Sequence, residues 1–333
     1  MMKPFPLGRA AFALSALFVG TFLILTERSA FAQGDYPSRP IRITLGFAAG
    51  TSPDVALRVF AEKLSKQLGQ PIVIESATGA AGNIAGHRVA NAQADGYDLL
   101  FASSSSVVVS PALYKAMRYN PLKDLKPISI LYSHPNVLVV SNRLGVRNLQ
   151  ELIAKARNKP GELNAASAGT GTTQHLAIEM LCTMADARIA HVPYRGGMNL
   201  IQDLLSGEVS MTFAVPTNVM AQVETGELTA LAVTSAKRSR FLPALPTMAE
   251  SGLPDFEISV WWGLMAPTGT PDDVIEILHK ASAAALAMPD VRKRFDDMNL
   301  EMQASSPAEF AQIITAEAPK WAALIGRIGI KLD

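Results

Sequence analysis

Ile41, Ile43, Leu45 and Phe47 are apolar and separated by Arg42, Thr44 and Gly46. A period of two turns one face of an extended chain inward, so residues 41–47 predict a strand. From Pro53 the period changes. Ala56, Phe60, Leu64 and Leu68 recur every four residues and fall along one side of a helix. Proline suits a first helical position, Gly69 ends the helix and Pro71 prevents its continuation. The same grammar repeats. Residues 72–74 and 99–102 predict strands around a glycine-rich turn at 79–82 and a helix to about residue 92. Strands are expected at 128–132, 137–140, 163–166, 191–192, 209–215 and 228–233. Between them fall helices over 149–156, from 172 to about 185, and on the Leu200, Ile201, Leu204, Leu205 face. A strand at 261–265 precedes helices at 271–287, 289–298 and 307–328, each opened by proline. Strand–helix alternation implies an α/β fold with mostly parallel sheets and helices packed outside. The length accommodates two such units, and also one doubly wound domain.

The first 32 residues read differently. Lys3 and Arg9 precede an apolar run at 10–25, and Ala30-Phe31-Ala32 is a small-x-small triplet. This is the layout of a secretory signal peptide cleaved after Ala32, leaving Gln33 at the mature terminus in the periplasm. The run is shorter than the ~20 residues of a spanning helix. Thirty basic and 29 acidic residues nearly cancel, which argues against a nucleic-acid partner. The single cysteine, Cys182, lies in an apolar helical stretch and is expected to be a small core residue.

Four segments join the end of a strand to a helix through Gly, Ser and Thr. They hold Gly50, Thr51 and Ser52; Ser103, Ser104 and Ser105; Ser167, Gly169, Thr170 and Thr172; and Tyr194, Arg195 and Gly196. Ligands of open α/β sheets bind at this strand edge, where helix-start N–H groups favour an anion. One helix end supplies ~0.3–1 kcal/mol, whereas micromolar binding needs ~8 kcal/mol, so several loops must converge. Singly, each loop also reads as ordinary helix capping. Asp54, in a first helical turn, either complements the helix dipole or receives a ligand amine. Arg195 either grips a carboxylate with two prongs or sits solvated at the rim. Trp261 and Trp262 are expected beneath the cleft.

Gly169-x-Gly171 lacks the third small residue of a dinucleotide fingerprint, because Gln174 stands there. A phosphate-loop lysine motif and a Gly-x-Ser-x-Gly elbow are absent from the sequence. The histidines at 87, 134, 175, 191 and 279 show no metal-ligand spacing. No cofactor, no metal and no catalytic residue are expected. His175 reads as a capping or packing residue.

The sequence resembles the receptor family of tripartite tricarboxylate transporters, the Bug proteins. The resemblance rests on Tyr36-Pro37-x-Arg39-Pro40-Ile41, residues 47–54 with Arg58, residues 80–85, Asp95-Gly96-Tyr97 and Ser167-Ala168-Gly169-x-Gly171 with His175-Leu176-Ala177-x-Glu179. It continues through Val192-Pro193-Tyr194-Arg195-Gly196 with Asp203-Leu204, Pro246-Thr247-x-x-Glu250-x-Gly252 and Ala266-Pro267-x-Gly269-x-Pro271. It implies a type II-like periplasmic-binding-protein fold, with one lobe from 33–134 plus 250–333 and the other from 135–249. It also implies a monomeric receptor, not an enzyme, that takes a dicarboxylate, tricarboxylate, amino acid or aromatic acid in the interlobe cleft. Its partners would be a large and a small membrane subunit. Members often carry a glycine pair at Gly50-Thr51, Thr-His within 103–106 and lysine at Arg195, so the specificity loops depart from the pattern. A ligand sensor without a transporter, and an exported hydrolase, are the other readings.

Overall fold

In the computed structural model, residues 36–194 and 197–332 are described, besides Met1. The predicted first strand is β1 (Ile41–Leu45), followed by α1 (Ser52–Leu68), which has proline in its first turn and Gly69 left-handed at φ 66° as its cap. Next come β2 (Ile72–Ser76), α2 (Asn83–Ala90), β3 (Asp98–Ser103), two short helices α3 (Ser110–Leu113) and α4 (Pro121–Asp124), and β4 (Leu125–Pro135). The middle of the chain forms β5 (Val137–Ser141), α5 (Leu149–Asn158), β6 (Asn164–Ser167), α6 (Thr173–Met184), β7 (Ala190–Pro193), α7 (Gly197–Ser206), β8 (Met211–Ala214), α8 (Met220–Glu224) and β9 (Leu228–Val233). Then follow β10 (Ser259–Pro267), α9 (Asp272–Ala287), α10 (Pro289–Asp297), β11 (Glu301–Met302) and α11 (Pro307–Ile328). Ser306 and Glu309 cap α11 reciprocally, which matches the helix start read from Pro307.

These strands make two sheets, ordered β11-β4-β10-β3-β1-β2 and β7-β6-β8-β5-β9. The expectation of mostly parallel sheets is corrected. β1 pairs in parallel with β2 and β3, and β6 with β7 and β8, but β10 is antiparallel to β3 and β4, β11 to β4, and β5 to β8 and β9. The cause is connectivity. β4 runs through Asn136 straight into β5 of the other sheet, and the chain returns from β9 into β10. Segments that carry the chain out and back must oppose each other.

Thr234 stitches those crossings together. Asn136 N–H donates to Thr234 Oγ1 at 2.9 Å, Thr234 Oγ1 donates to Ile258 O at 2.6 Å, and Thr234 N–H and Ile258 N–H complete the set through Asn136 O and Thr234 O. One buried apolar cluster continues through both sheets, from Leu100, Ile130 and Met265 to Leu138, Leu152 and Phe213. Each such side chain contributes ~1.5–3 kcal/mol on full burial.

Alternation along β10 sends its two tryptophans to opposite faces. Trp262 stacks on Phe101 at 5.1 Å and meets Phe47 edge-on at 5.3 Å, just below the end of β1. Trp261 instead donates Nε1–H to Glu317 Oε2 at 2.8 Å and packs edge-on against Phe310, both in α11. The placement of Trp261 beneath the cleft is therefore corrected. Cys182 is a free, half-buried thiol.

Candidate ligand-binding site

The parallel strands β1 and β3 of one sheet, and β6, β7 and β8 of the other, end in the loops of interest. At this strand edge, two hydrogen bonds among the described residues join loops of the two sheets. Ser52 Oγ meets Thr217 Oγ1 at 2.9 Å, and Thr173 N–H donates to Ser105 Oγ at 3.3 Å. The converging loops are those that begin at Gly46, Ser103 and Ala168, with a fourth contributor, Thr217. Sequence reading missed Thr217, although Pro216-Thr217-Asn218 follows β8 after the single residue Val215 and carries turn chemistry at the same strand edge.

After β1, the loop holds an anchored carboxylate. Asp54 is 2 % exposed, and its Oδ2 accepts from Gly50 N–H at 2.9 Å and Arg58 Nε at 3.0 Å. Burial pushes this carboxyl upward, but the Arg58 and Gly50 hydrogen bonds outweigh it and hold the group below the usual range. Asp54 Oδ1 is buried without a partner among the described residues. Thr51 Oγ1 donates inward to Ala48 O at 2.7 Å. A side chain at Gly46 would collide with the Gly82 backbone, so this close approach of two loops requires glycine.

Residues 103–106 do not form the open loop that was expected. The chain turns helical at once, with wide turns over Ser105–Val109 leading into α3, and Ser103, Ser104, Ser105 and Ser106 are all 3 % exposed or less. Ser106 Oγ donates to Ser103 O at 3.0 Å, so the serines satisfy one another. Ser104 Oγ is the exception, buried with no partner among the described residues.

Outward-pointing amides were also expected after β6, and there the loop uses its own side chains instead. Ala168 N–H donates to Gln174 Oε1 at 2.7 Å, Gly169 N–H to Ser167 Oγ at 3.2 Å and Gly171 N–H to His175 Nδ1 at 3.2 Å. Thr172 caps α6 through His175 N–H. Gly169 and Gly171 take φ 135° and 83°, a course open to glycine. Among the described residues of this loop, Thr170 is the exposed one and its N–H has no such bond. Tyr194 commits its hydroxyl to Asp203 Oδ2 at 2.6 Å. The expectations for Arg195 and Gly196 lie outside the described residues, as does the signal peptide expected at 1–32.

Ser167 Oγ lies 2.7 Å from His191 Nε2, the separation of a nucleophile and its base. However, Ser167 is fully buried and its hydroxyl already serves Gly169, so the pair shapes the loop. No group of three or more metal-ligating side chains occurs among the described residues, and no helix there is long and apolar enough to cross a membrane. The hydroxyls that meet between the sheets, Ser52 with Thr217 and Ser105 with the Thr173 amide, are neutral, and the Phe101–Trp262–Phe47 ring cluster lies at the end of β1.

Comparison with known proteins gives a consistent picture. The model of the family described as "Tripartite tricarboxylate transporter family receptor" matches residues 56–330. Protein BugT of Bordetella pertussis is 35% identical over 94% of this chain and 97% of its own. A solved R. palustris protein with adipate superposes with a TM-score of 0.84 at 33% identity, covering 89% of this chain and 99% of that one. MatC from Rhodopseudomonas palustris, with bound malate, gives 0.81 at 29%, covering 87% and 100%. The periplasmic binding protein BugD gives 0.82 at 33%, covering 89% and 99%. The fold is that of periplasmic binding proteins, two sheets in a mixed α/β architecture.

Proposed function

The chain belongs to the tripartite tricarboxylate transporter family of receptors, and we propose that it captures a small dicarboxylate in the periplasm for a secondary transporter. The observation that carries this reading is the meeting of neutral, hydroxyl-rich loops from both sheets, joined by Ser52–Thr217 and Ser105–Thr173. An anion placed among them gains contacts from both sides only when the sheets are close, and that difference drives closure. Residues 33–134 with 250–333 form one lobe and 135–249 the other, a division supported by the composition of the two sheets. The ligand class is supported by relatives solved with adipate and with malate. Asp54 Oδ2 is engaged by Arg58 and Gly50, which supports an anchoring role, while its buried Oδ1 keeps an unmatched acceptor among the described residues.

The receptor acts as a monomer, after cleavage behind Ala32, and passes its ligand to a large and a small membrane subunit. Titration calorimetry of the mature protein with adipate, malate, citrate and glutamate tests the ligand. At least one dicarboxylate binds in the micromolar range, about 8 kcal/mol, and reduces the radius measured by X-ray scattering. Binding of none of them, or binding with turnover, overturns the reading.

A further inference from the structure

Beneath the loop at 168–172 lie two histidines that ligand capture by itself does not use. His175, in the first turn of α6, is 5 % exposed, and His191 of β7 stacks on it with ring centroids 4.1 Å apart. Each ring holds the loop. Because His175 Nδ1 accepts the Gly171 N–H, it must carry a lone pair, which leaves the neutral ring's proton on Nε2, 3.5 Å from Glu179 Oε1. His191 Nε2–H donates to Ser167 Oγ, which in turn donates to Gly169 O and accepts Gly169 N–H. In this arrangement the hydroxyl proton and both lone pairs of Ser167 are matched.

We propose that His175 and His191 are positioning residues for the ligand loop, and that a proton on His175 unlatches Gly171 and weakens carboxylate binding. Protonated, Nδ1 becomes a donor and faces the Gly171 N–H, so that hydrogen bond is lost and the loop around Thr170 moves. The charge gives the anion little in return, because Glu179 lies against the same ring and offsets it. Other titratable groups near the pair are Cys182 on α6, Tyr114 beyond Gly171, and the Tyr194–Asp203 pair beyond Gly169. Arg195 lies outside the described residues. Burial, and then the neighbouring imidazole, push His191 down to about 4, so His191 keeps its neutral hold on Ser167 across the range where histidines ordinarily titrate.

The affinity half of the proposal rests on the carboxylate-receptor reading, and the loop half is tested without any ligand. In ligand-free protein, the Gly171 amide resonance is followed by NMR from pH 7.5 to 5.0 beside the imidazole signals. It moves with the His175 ring, and in His175→Asn, whose Oδ1 still accepts but does not titrate, it stays still. A Gly171 resonance that ignores the His175 ring, or that titrates unchanged in His175→Asn, overturns the proposal. Malate and adipate are then titrated at both pH values. Wild-type affinity falls about tenfold on acidification, the worth of one hydrogen bond. His175→Asn changes less than threefold, and His175→Ala is weak at both. An equal fall in wild type and His175→Asn overturns the affinity half. If neither acid binds at pH 7.5, the affinity half is read with whichever of citrate and glutamate binds, and if none of the four binds the receptor reading fails while the NMR result stands.

Discussion

Ser104 is wholly buried, and its hydroxyl meets no protein partner among the described residues. A polar group kept in this state costs stability unless something outside the chain satisfies it. It sits between Ser103, at the end of β3, and Ser105, which receives the hydrogen bond from Thr173 of the other sheet. Ser104→Ala therefore weakens dicarboxylate binding by about 0.5–1.5 kcal/mol, while the melting temperature stays the same or rises. Calorimetry and a thermal melt on the one variant read both effects, and unchanged affinity would remove Ser104 from the site. The serines were legible as candidates because they follow a strand. Their helical, mutually bonded state was not, since a Ser-Ser-Val-Val-Val run has local preferences for extended chain or loop. Packing of Val107, Val108 and Val109, all buried, overrides that preference.

At the scale of elements, helix starts and strand cores were readable from local chemistry. β9 spans Leu228–Val233 and α11 spans Pro307–Ile328, as their periodicity and proline starts indicate. What joins elements was less readable. Thr234 looks unremarkable in sequence, yet its hydroxyl bonds both crossings between the sheets. Thr234→Val keeps the shape and removes the hydroxyl, leaving the buried Asn136 N–H without its acceptor. The expected loss is about 1–3 kcal/mol, read as a lower urea midpoint at constant slope. A midpoint equal to wild type would show that the stitch contributes nothing net.

For the whole molecule, pH sets stability through buried imidazoles. Burial pushes His134 down to about 4, and burial, then the neighbouring imidazole, does the same to His191. In the unfolded chain such groups titrate near ~6.5. Between these values the unfolded state binds more protons, so stability is full above about 6.5 and is lost as pH falls toward about 4. The urea midpoint should drop steadily from pH 7 to pH 4.5, and less steeply in His134→Gln. A flat profile over that window contradicts the burial of these rings. The sequence by itself determined the α/β class, most element cores and the strand-end loops, because each depends on periodicities and caps within a few residues. Only the tertiary structure decided that β10 and β5 run antiparallel to their neighbours, that Thr217 joins Ser52, and that His175 stacks on His191. Those outcomes depend on which distant segments lie side by side, and contacts between residues 16 or 165 positions apart leave no mark in a local pattern.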